Sequence, residues 1–336
     1  MSAAAHARDG VHRVGGASLD ALRVVRRDTW SLALWGLFAA LLVVAKLISP
    51  GYGATELTSL AIGALPIAFA AVAQAIVVIS GGIDLSVGAM MALTSVVAAA
   101  QMKDASPEFA VVVALGVLLL GLALGAVNGL LIVVSRVPDI VVTLAMSYVW
   151  AGAALLVMGS PGGAAADWLK DMISGSLLID ILPKALVVLL VCVGLAWFPV
   201  RRSRLGLSIY AIGSNPLAAF RGGVDVPRTK VAAYALTGLF CAAGGLTLTA
   251  STGIGSPIPG PYTLLAVAAI VLGGVSLAGG RGGMMGPLVA VFVLSLIRTD
   301  LTFLGVDPNF STVIQGVIMV VVVMIGAFVT LRRRRA

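Results

Sequence analysis

The feature that most constrains this chain is a series of long apolar runs separated by short polar segments. Several runs reach the roughly 20 residues that an α-helix needs to cross a bilayer, and the chain is 60% hydrophobic and only 11% charged. Because a soluble domain carries about a quarter charged residues, this much apolar surface does not fit inside a soluble core. A transmembrane barrel would instead show alternating segments of ~10 residues. The sequence therefore predicts an all-α integral membrane protein.

Breaks at glycine, proline and charged residues divide the apolar runs into about ten candidate transmembrane helices. The third and the ninth are short, so either is a candidate for a partial or broken helix. The predicted spans are 31-48, 58-79, 85-101, 109-134, 139-158, 178-198, 230-251, 263-279, 284-299 and 311-331. On this division the chain begins with a cytoplasmic N-terminal tail at 1-29. One transmembrane domain follows at 30-331 and contains a cytoplasmic loop at 199-229. The chain ends with a basic cytoplasmic C-terminal tail at 332-336.

The positions of lysine and arginine predict the orientation of the chain. If the N-terminus is cytoplasmic and all ten segments cross, 17 of the 22 basic residues fall on the inner side. Because the loops on the cytoplasmic side of membrane proteins carry an excess of Lys and Arg, we expect both termini in the cytoplasm. The same distribution attributes the net charge of +8 to membrane topology, so no nucleic-acid partner is expected.

The sequence contains no motif for catalysis or metal binding. No G-x-x-x-x-G-K-[ST] phosphate loop is present, and Cys192 and Cys241, the only cysteines, lie in apolar segments without metal-site spacing. His6 and His12, the only histidines, lie in the N-terminal tail. We therefore expect no catalytic residue, no metal site and no cofactor. If ATP drives this protein, another chain must hydrolyse it.

The loop at 199-229 is the most polar and basic segment between the tails, and it is longer than the roughly 2–8 residues that a connection needs. Ser214 or Asn215 can cap a short helix that begins at Pro216, since proline suits the first helical position. Such a short helix has little stability alone. It lies either against a partner protein or at the membrane surface with nearby arginines on lipid headgroups, and composition leaves both possibilities open.

Asp84 follows the pair Gly81-Gly82 between the second and third spans. An ionisable group near bilayer depth is costly unless a cavity, a partner or a water-filled path receives it. Either Asp84 binds backbone N–H groups together with Ser86 at the start of the third span, or it faces a translocation path and contacts solute hydroxyls. The glycine pair favours the first interpretation. Asn128, inside the fourth span, either bonds between helices or lines the path.

Glycine pairs also precede the ninth span, where a second Gly-Gly, one charge and Met-Met repeat the pattern of residues 81–91. These glycines are predicted to allow close helix approach and a tight turn. Such a repeat is typical of transporters built from internal structural repeats.

Four long segments resemble one known family. They are SGGIDLSVGAMMAL at Ser80–Leu93, GAVNGLLIVVSRVPDIVVTLAM at Gly125–Met146, RLGLSIYAIGSNPLAAFRGGVDVPRTK at Arg204–Lys230 and AAIVLGGVSLAGGRGGMMGPLVAVFVL at Ala268–Leu294. In this order they resemble the membrane-spanning permease subunit of bacterial ATP-binding-cassette (ABC) importers for monosaccharides, of the ribose, xylose and galactose type. The resemblance extends from about residue 58 to residue 325.

The resemblance implies the ABC importer permease fold in the bacterial inner membrane. It implies a second permease subunit, most simply in a homodimer, a cytoplasmic ATP-binding-cassette ATPase, a periplasmic substrate-binding protein, and contact with membrane lipid. The short helix of the inner loop would be the coupling helix, with matching positions Gly213, Ser214, Asn215, Pro216, Ala218, Ala219 and Arg221. Members of the family often have an acidic residue and Arg-Leu-Ser-Gly around this helix, where this chain has Pro-Leu-Ala-Ala-Phe-Arg-Gly-Gly.

The sequence therefore favours a monosaccharide permease working by alternating access, in which Asp84, Ser86 and Asn128 are candidate path or gate residues. Related permeases carry nucleosides, autoinducer-type furanoses or branched-chain amino acids, and these cargoes stay open. An ion-coupled secondary transporter would need several ionisable residues within the membrane, and Asp84 and Asp139 are the only strong candidates. An intramembrane enzyme would need a nucleophile and base, which the sequence does not offer.

Overall fold

The computed structural model describes residues 29–177, 182–307, 310–314, 316–317, 320–321 and 324. The predicted tail at 332-336 and residues 1–28 of the predicted N-terminal tail lie outside the described residues. The first half of the chain is a succession of helices joined by short turns. These helices are α1 (Thr29–Ile48), α2 (Ala54–Ile79), α3 (Val87–Met102), α4 (Pro107–Ser135) and α5 (Asp139–Val157).

The second half begins with a short helix and a small hairpin. These elements are α6 (Asp167–Ile173) and the strands β1 (Ser176–Leu177) and β2 (Leu182–Pro183), which pair antiparallel. The helices that follow are α7 (Lys184–Arg202), α8 (Arg204–Ser214), α9 (Pro216–Arg221), α10 (Val226–Thr252), α11 (Tyr262–Leu272) and α12 (Met285–Phe303). The described residues between 310 and 324 are also helical.

Within the described residues, six helices are long and apolar enough to cross a membrane: α2, α4, α5, α7, α10 and α12. Leu32–Ile48, α3 and α11 are shorter apolar helices. The protein is therefore an all-α membrane protein. The tenth predicted span, 311-331, lies partly outside the described residues.

Two span predictions differ from the structure in their bounds. The predicted span 263-279 is too long, because α11 ends at Leu272 and Gly274 then takes a left-handed backbone with φ +80°. The predicted span 178-198 begins too early, since the hairpin ends at Pro183 and α7 begins at Lys184. In both cases residues of apolar type belong to a turn or strand, which hydropathy does not distinguish from helix.

Helix α10 lies at the centre of the bundle and packs against α2, α3 and α4. Small residues allow this close packing, because glycine lets helix backbones approach within a membrane. A Cβ added at Gly125 of α4 would overlap the carbonyl oxygen of Tyr234 in α10, and one at Gly121 would overlap the carbonyl oxygen of Gly238. The two helices therefore contact each other through backbone.

The outer faces of α4, α5 and α7 are apolar. Leu119, Leu156 and Leu195 are 68%, 91% and 74% exposed, and many neighbouring side chains on these helices are similar. A soluble monomer rarely exposes apolar patches of this extent. These faces are the surface that lipid or another membrane subunit covers.

Helices α2 and α11 end in the same way. After each helix, three successive N–H groups bond back to carbonyls of the last turn, as in a Schellman-type end. The second residue of each set is a glycine in the left-handed region, with φ +85° at Gly81 and +80° at Gly274. This repeated helix end pairs Gly81 with Gly274, whereas the sequence repeat paired Gly81–Gly82 with the later pair Gly279–Gly280.

The segment between α5 and α7 packs over the end of the bundle that α3 and α10 share. Gly162 bridges Gly255, and the N–H of Ala164 donates to the carbonyl of Ala99 at 3.0 Å. Helix α6 buries Leu169 and Ile173, and at its exposed start the hydrogen bond and charge of Lys170 lower the pKa of the Asp167 carboxyl. Residues 162–165 therefore pack on this end of the bundle.

Candidate coupling and gating sites

Residues 213–221, the coupling segment, form the corner between α8 and α9. Asn215 has an extended backbone that separates the helices, and its Oδ1 accepts from the N–H of Ala218 at 3.0 Å. Pro216 occupies the first helical position, and the N–H of Gly222 closes the helix on Ala218. The short helix therefore has the start and end expected from its sequence.

Helix α8 itself was not expected, because the sequence indicated only an apolar stretch and a turn before the short helix. The structure shows a continuous helix of 11 residues whose start is capped by the Ser203 hydroxyl, which accepts from the N–H of Gly206 at 3.4 Å. The signal was present, since serine is a favoured N-cap residue. This N-cap signal was overlooked because the neighbouring charges of Arg201 and Arg202 are typical of a polar loop.

The predicted coupling residues divide into an exposed and a buried group. Ser214, Asn215, Pro216, Ala218 and Arg221 are exposed, whereas Gly213 and Ala219 are buried. Two residues that the prediction left out, Leu217 and Phe220, are 58% and 65% exposed. The helix thus presents an apolar surface beside one arginine.

The buried end of the coupling segment contacts two other turns through backbone, and we call this contact the glycine junction. It joins Ile79–Gly81 at the end of α2, Gly213–Ser214 at the end of α8, and Gly279–Gly280 before α12. The N–H of Gly280 donates to the carbonyl of Ile79 at 2.9 Å, and a Cβ on Gly213 would overlap that same carbonyl oxygen. Only glycine at position 213 leaves this contact possible.

A second link lies beside the glycine junction. The hydroxyl of Tyr210 on α8 donates to the carbonyl of Gly282 at 2.9 Å. Helix α8 is thereby attached to the turn before α12 at two places.

Asp84, Ser86 and Asn128 form one buried polar network, and all three are fully buried. The Asp84 Oδ1 accepts from the N–H and the hydroxyl of Ser86 at 2.8 and 2.6 Å. Asn128 donates to the Ser86 hydroxyl at 2.8 Å, and the indole N–H of Trp150 donates to Asn128 Oδ1 at 3.2 Å. The network joins the α2–α3 turn to α4 and α5.

The network fits the interpretation of Asp84 as a backbone-binding carboxylate, with one difference. Asp84 binds the N–H of Ser86, which is itself the N-cap residue of α3, so it does not bind the N–H groups of the first helical turn. Its second oxygen, Oδ2, is buried without a hydrogen-bond partner among the described residues. Trp150 was missed because an aromatic residue in an apolar helix carries no distinguishing pattern.

A third cluster lies at the start of α5, around Asp139. Its Oδ1 accepts from the ammonium of Lys230 at 2.7 Å and its Oδ2 from the hydroxyl of Tyr234 at 2.8 Å. A Cβ on Gly82 would overlap the Asp139 carboxylate, so the α2–α3 turn lies against the pair. The sequence contains these opposite charges, Asp139 and Lys230, near the starts of two predicted spans. It does not show that α5 and α10 bring the two side chains together.

Within the described part of the chain, no three His, Cys, Asp or Glu side chains are grouped closely enough to hold a metal ion. Cys241 is buried and Cys192 is partly buried, and both are free thiols.

Known proteins match this chain over most of its length. The family model described as "Branched-chain amino acid transport system / permease component" matches residues 56–323. The "Autoinducer 2 import system permease protein LsrD" of Escherichia coli and that of Shigella flexneri are each 29% identical to this chain over 323 residues, which cover 92% of this chain and 95% of the relative. No solved structure matches the chain.

These matches confirm the permease prediction. The protein is a transport component, not an enzyme, and its apolar helices place it in the inner membrane as a multi-pass protein. This chain belongs to the family of branched-chain amino acid transport system permease components, and it is the permease subunit of an ABC importer.

Proposed function

We propose that this chain forms the translocation path for a monosaccharide-like solute that a periplasmic binding protein delivers and a separate ATPase drives. The observation that carries this proposal is the combination of a bundle with apolar outer faces and a short exposed helix, α9, in a family of importer permeases. The relatives named for autoinducer 2 import favour an autoinducer-type furanose as the second candidate cargo. Both cargoes are small polar molecules rich in hydroxyl groups.

The proposed assembly has two permease subunits, most simply two copies of this chain, with an ATPase beneath each. It places ten crossings in each permease and both termini in the cytoplasm. The exposed apolar faces of the bundle support a subunit contact within the membrane. The basic residues of the inner loop support the orientation.

In the proposed mechanism, α9 receives motion from the ATPase. Leu217 and Phe220 are large apolar side chains left exposed on a helix of only six residues, and so short a helix has little stability of its own. A groove in the ATPase that covers these two side chains would hold α9 in place. The coupling segment, residues 213–221, is then the part of the chain that the partner moves.

The glycine junction is the proposed route from α9 to the path. Only Asn215 separates α8 from α9, so the two helices move together. Gly213, at the end of α8, contacts the carbonyl of Ile79 and lies beside Gly279–Gly280. Displacement of α8 therefore acts directly on the turns before α3 and α12, because packed interiors transmit displacement instead of absorbing it.

The buried network of Asp84, Ser86 and Asn128 is the proposed gate. The turn that the glycine junction contacts also carries Asp84 and Ser86, and the bond from Asn128 ties that turn to α4. Since all three side chains are fully buried, we assign them to holding the path closed and not to contacting solute. Moving the turn breaks the bond between Asn128 and Ser86 and separates α3 from α4.

The proposed function is tested by reconstitution. The purified permease, its co-purifying ATPase and the binding protein are placed in proteoliposomes with labelled solute. We expect uptake that requires ATP and all three components. Uphill transport by the permease alone, driven by an ion gradient, contradicts the proposal.

The cargo is tested on the binding protein that stimulates this transporter. A thermal-shift screen compares ribose, xylose, galactose, autoinducer 2, a nucleoside and leucine. We expect a sugar or autoinducer 2 to raise the unfolding temperature, since bound ligand stabilises the folded state. Stabilisation by leucine alone contradicts the assignment of a sugar-like cargo.

A further inference from the structure

A cavity of about 410 Å³ lies between α2, α11 and α12. Pockets that hold small organic ligands measure about 300–1,000 Å³. Apolar side chains and one glycine form half of the lining. The polar half consists of Thr55, Glu56, Ser59, Ser295, Arg298 and Thr299.

The cavity lies at the end of the bundle opposite the coupling segment. Ser59 is near the start of α2, whereas Ile79, the last residue of α2, belongs to the glycine junction. The twenty residues between them correspond to ~30 Å of helix. Because the coupling segment faces the ATPase in the proposed function, the cavity faces the periplasm. Ser59 and Arg298 are exposed, so the cavity is open to that side.

Several polar groups in the cavity are not used by the protein. One oxygen of Glu56 accepts from the N–H of Gly53 at 2.7 Å, and the other oxygen is left available. The Ser295 hydroxyl is buried and makes no hydrogen bond within the described ranges. Glu56 and Arg298 belong to none of the ion pairs that the described residues form. The cavity therefore offers a donor, an acceptor and hydroxyl groups to a ligand.

We propose that this cavity is the entry site where the permease first binds its solute, and that it takes a small uncharged molecule with several hydroxyl groups. The inference rests on the proposed function and adds the site and the solute class. One carboxylate and one guanidinium leave the lining without net charge, so a solute with a net charge gains no attraction. A hydroxyl group both donates and accepts, so it can bond to Glu56, to Arg298 and to the serine and threonine hydroxyls.

A zwitterionic amino acid is the competing ligand, because its ammonium and carboxylate could lie beside Glu56 and Arg298. Two features of the cavity favour the polyol. One oxygen of the Glu56 carboxylate already accepts the N–H of Gly53 at the start of α2, so only the other oxygen is available to an ammonium group. Four of the six polar side chains are neutral hydroxyls, which match the hydroxyl groups of a sugar.

Protection of an introduced cysteine tests the site on the full-length permease. Cys192→Ala and Cys241→Ala remove the native thiols, and Ser59→Cys places one in the cavity. The purified protein in nanodiscs is labelled with a membrane-impermeant maleimide, with ribose, xylose, galactose or leucine added separately. We expect at least one sugar to slow labelling about threefold at twice its Kd, and leucine to leave the rate unchanged.

The matched control is Lys103→Cys, in the same background, on the exposed turn after α3. This residue does not line the cavity, so no added compound should change its labelling rate. Slowing at both positions by the same sugar shows a general effect on the reagent and overturns the proposal.

Charge-removing variants separate the two ligand classes. Arg298→Gln and Glu56→Gln keep hydrogen-bonding groups, so protection by a sugar should persist, whereas Arg298→Leu should abolish it. A zwitterion would lose protection in the Gln variants as well. Protection by leucine alone, protection by no compound, or sugar protection that survives Arg298→Leu each overturns the proposal.

Failure of this inference and failure of the proposed function give different results. A permease that binds its ATPase and imports sugar, yet shows no protection at Ser59→Cys, refutes the entry site alone. A permease that shows protection but never associates with an ATPase refutes the proposed function alone.

Discussion

Asn128 shows how a single polar side chain can hold a membrane bundle together. Its amide donates to Ser86 and accepts from Trp150, so its two ends join the α2–α3 turn and α5 to α4. Hydrogen bonds between membrane helices contribute about 0.6 kcal/mol on average and at most about 1.7 kcal/mol. The energetic contribution of the residue is modest, but its position makes it a connection between three elements.

Replacing Asn128 with leucine should lower stability by about 1–3 kcal/mol, because it removes two bonds and leaves the indole N–H of Trp150 without its partner. The measurement is the unfolding midpoint of the purified protein in detergent. Trp150→Phe removes only one of the bonds and serves as the graded control, with a smaller loss. Equal losses for the two variants would contradict the network.

Gly213 is a residue at which one methyl group should uncouple transport. In Gly213→Ala the new Cβ overlaps the carbonyl of Ile79, and overpacking of this kind costs about 1–3 kcal/mol. We expect the variant to bind the ATPase normally. The number of solute molecules imported per ATP should fall roughly tenfold, because a cost of about 1.4 kcal/mol corresponds to a factor of ten.

Gly222→Ala is the control for this substitution. Gly222 is exposed and directly follows the coupling segment, and a Cβ added there would come no closer than 3.4 Å to another atom. It should import solute with normal stoichiometry. An unchanged import ratio in Gly213→Ala would show that the glycine junction does not transmit the motion.

At the scale of elements, α9 is defined more by its surroundings than by its own stability. Six residues form one and a half turns, held by the Asn215 cap and by its attachment to α8. The apolar pair Leu217 and Phe220 is exposed, while Ala219 is buried against the protein. The inner face of the helix thus holds it against the protein, and its outer face is left exposed.

Leu217→Asp and Phe220→Asp should each weaken ATPase association by more than about 2 kcal/mol, the loss typical of a buried interface anchor, which corresponds to roughly 30-fold in Kd. Arg221→Ala should cost less than tenfold, because an exposed charge at an interface rim contributes little. Binding is measured with the detergent-purified subunits. A larger loss in Arg221→Ala would mean that charge, not apolar contact, docks the helix.

The pair between Asp139 and Lys230 fixes the start of α5 against α10. The two side chains are only 13% and 25% exposed, so removing one partner leaves a poorly solvated charge. Lys230→Met should therefore destabilise the protein by about 1–3 kcal/mol. The double variant Asp139→Asn with Lys230→Met should regain part of this loss in detergent unfolding. Strictly additive losses would show that the pair contributes no coupling.

At the scale of the whole molecule, the two proposed sites lie at opposite ends of one bundle. The glycine junction and α9 lie at one end, and the cavity between α2, α11 and α12 lies at the other. The buried α2 spans the distance between them and contacts both. In the proposed mechanism, α2 carries a displacement from the glycine junction to the cavity.

Opposite accessibility of the two ends is the expected result of topology labelling. In the background without native cysteines, Arg221→Cys should react with an impermeant thiol reagent only from the cytoplasmic side, and Lys103→Cys only from the periplasmic side. Inside-out and right-side-out vesicles provide the two comparisons. Reaction of both residues from the same side would overturn the proposed orientation.

Much of the fold could be predicted from local signals. The apolar runs predicted the long helices. Asn215 and Pro216 predicted the start of α9, and the glycine pairs predicted the turns after α2 and α11. Bounds were wrong where apolar residues formed a turn or a strand, as at the end of α11. Hydropathy averages over a window, so it does not resolve such ends.

The partners of the candidate site residues could not be predicted in the same way. Asp139 and Lys230 are 91 positions apart, and Asn128 and Ser86 are 42 apart. Which face of a helix meets which neighbour depends on the packing of the whole bundle, and a single sequence does not state it. The cavity was missed for the same reason, since its polar groups come from helices far apart in the chain.

The sequence by itself determined that this protein lies in the membrane, that it contains no nucleotide-binding motif of its own, and that a short capped helix begins at Pro216. These properties follow from hydropathy, composition and helix-end chemistry, which act over a few residues. Only the tertiary structure decided that Gly213 contacts Ile79, that Asp84 is tied to Asn128 through Ser86, and that Glu56 and Arg298 share a cavity. Those contacts depend on how the helices pack, which is decided by the whole chain at once.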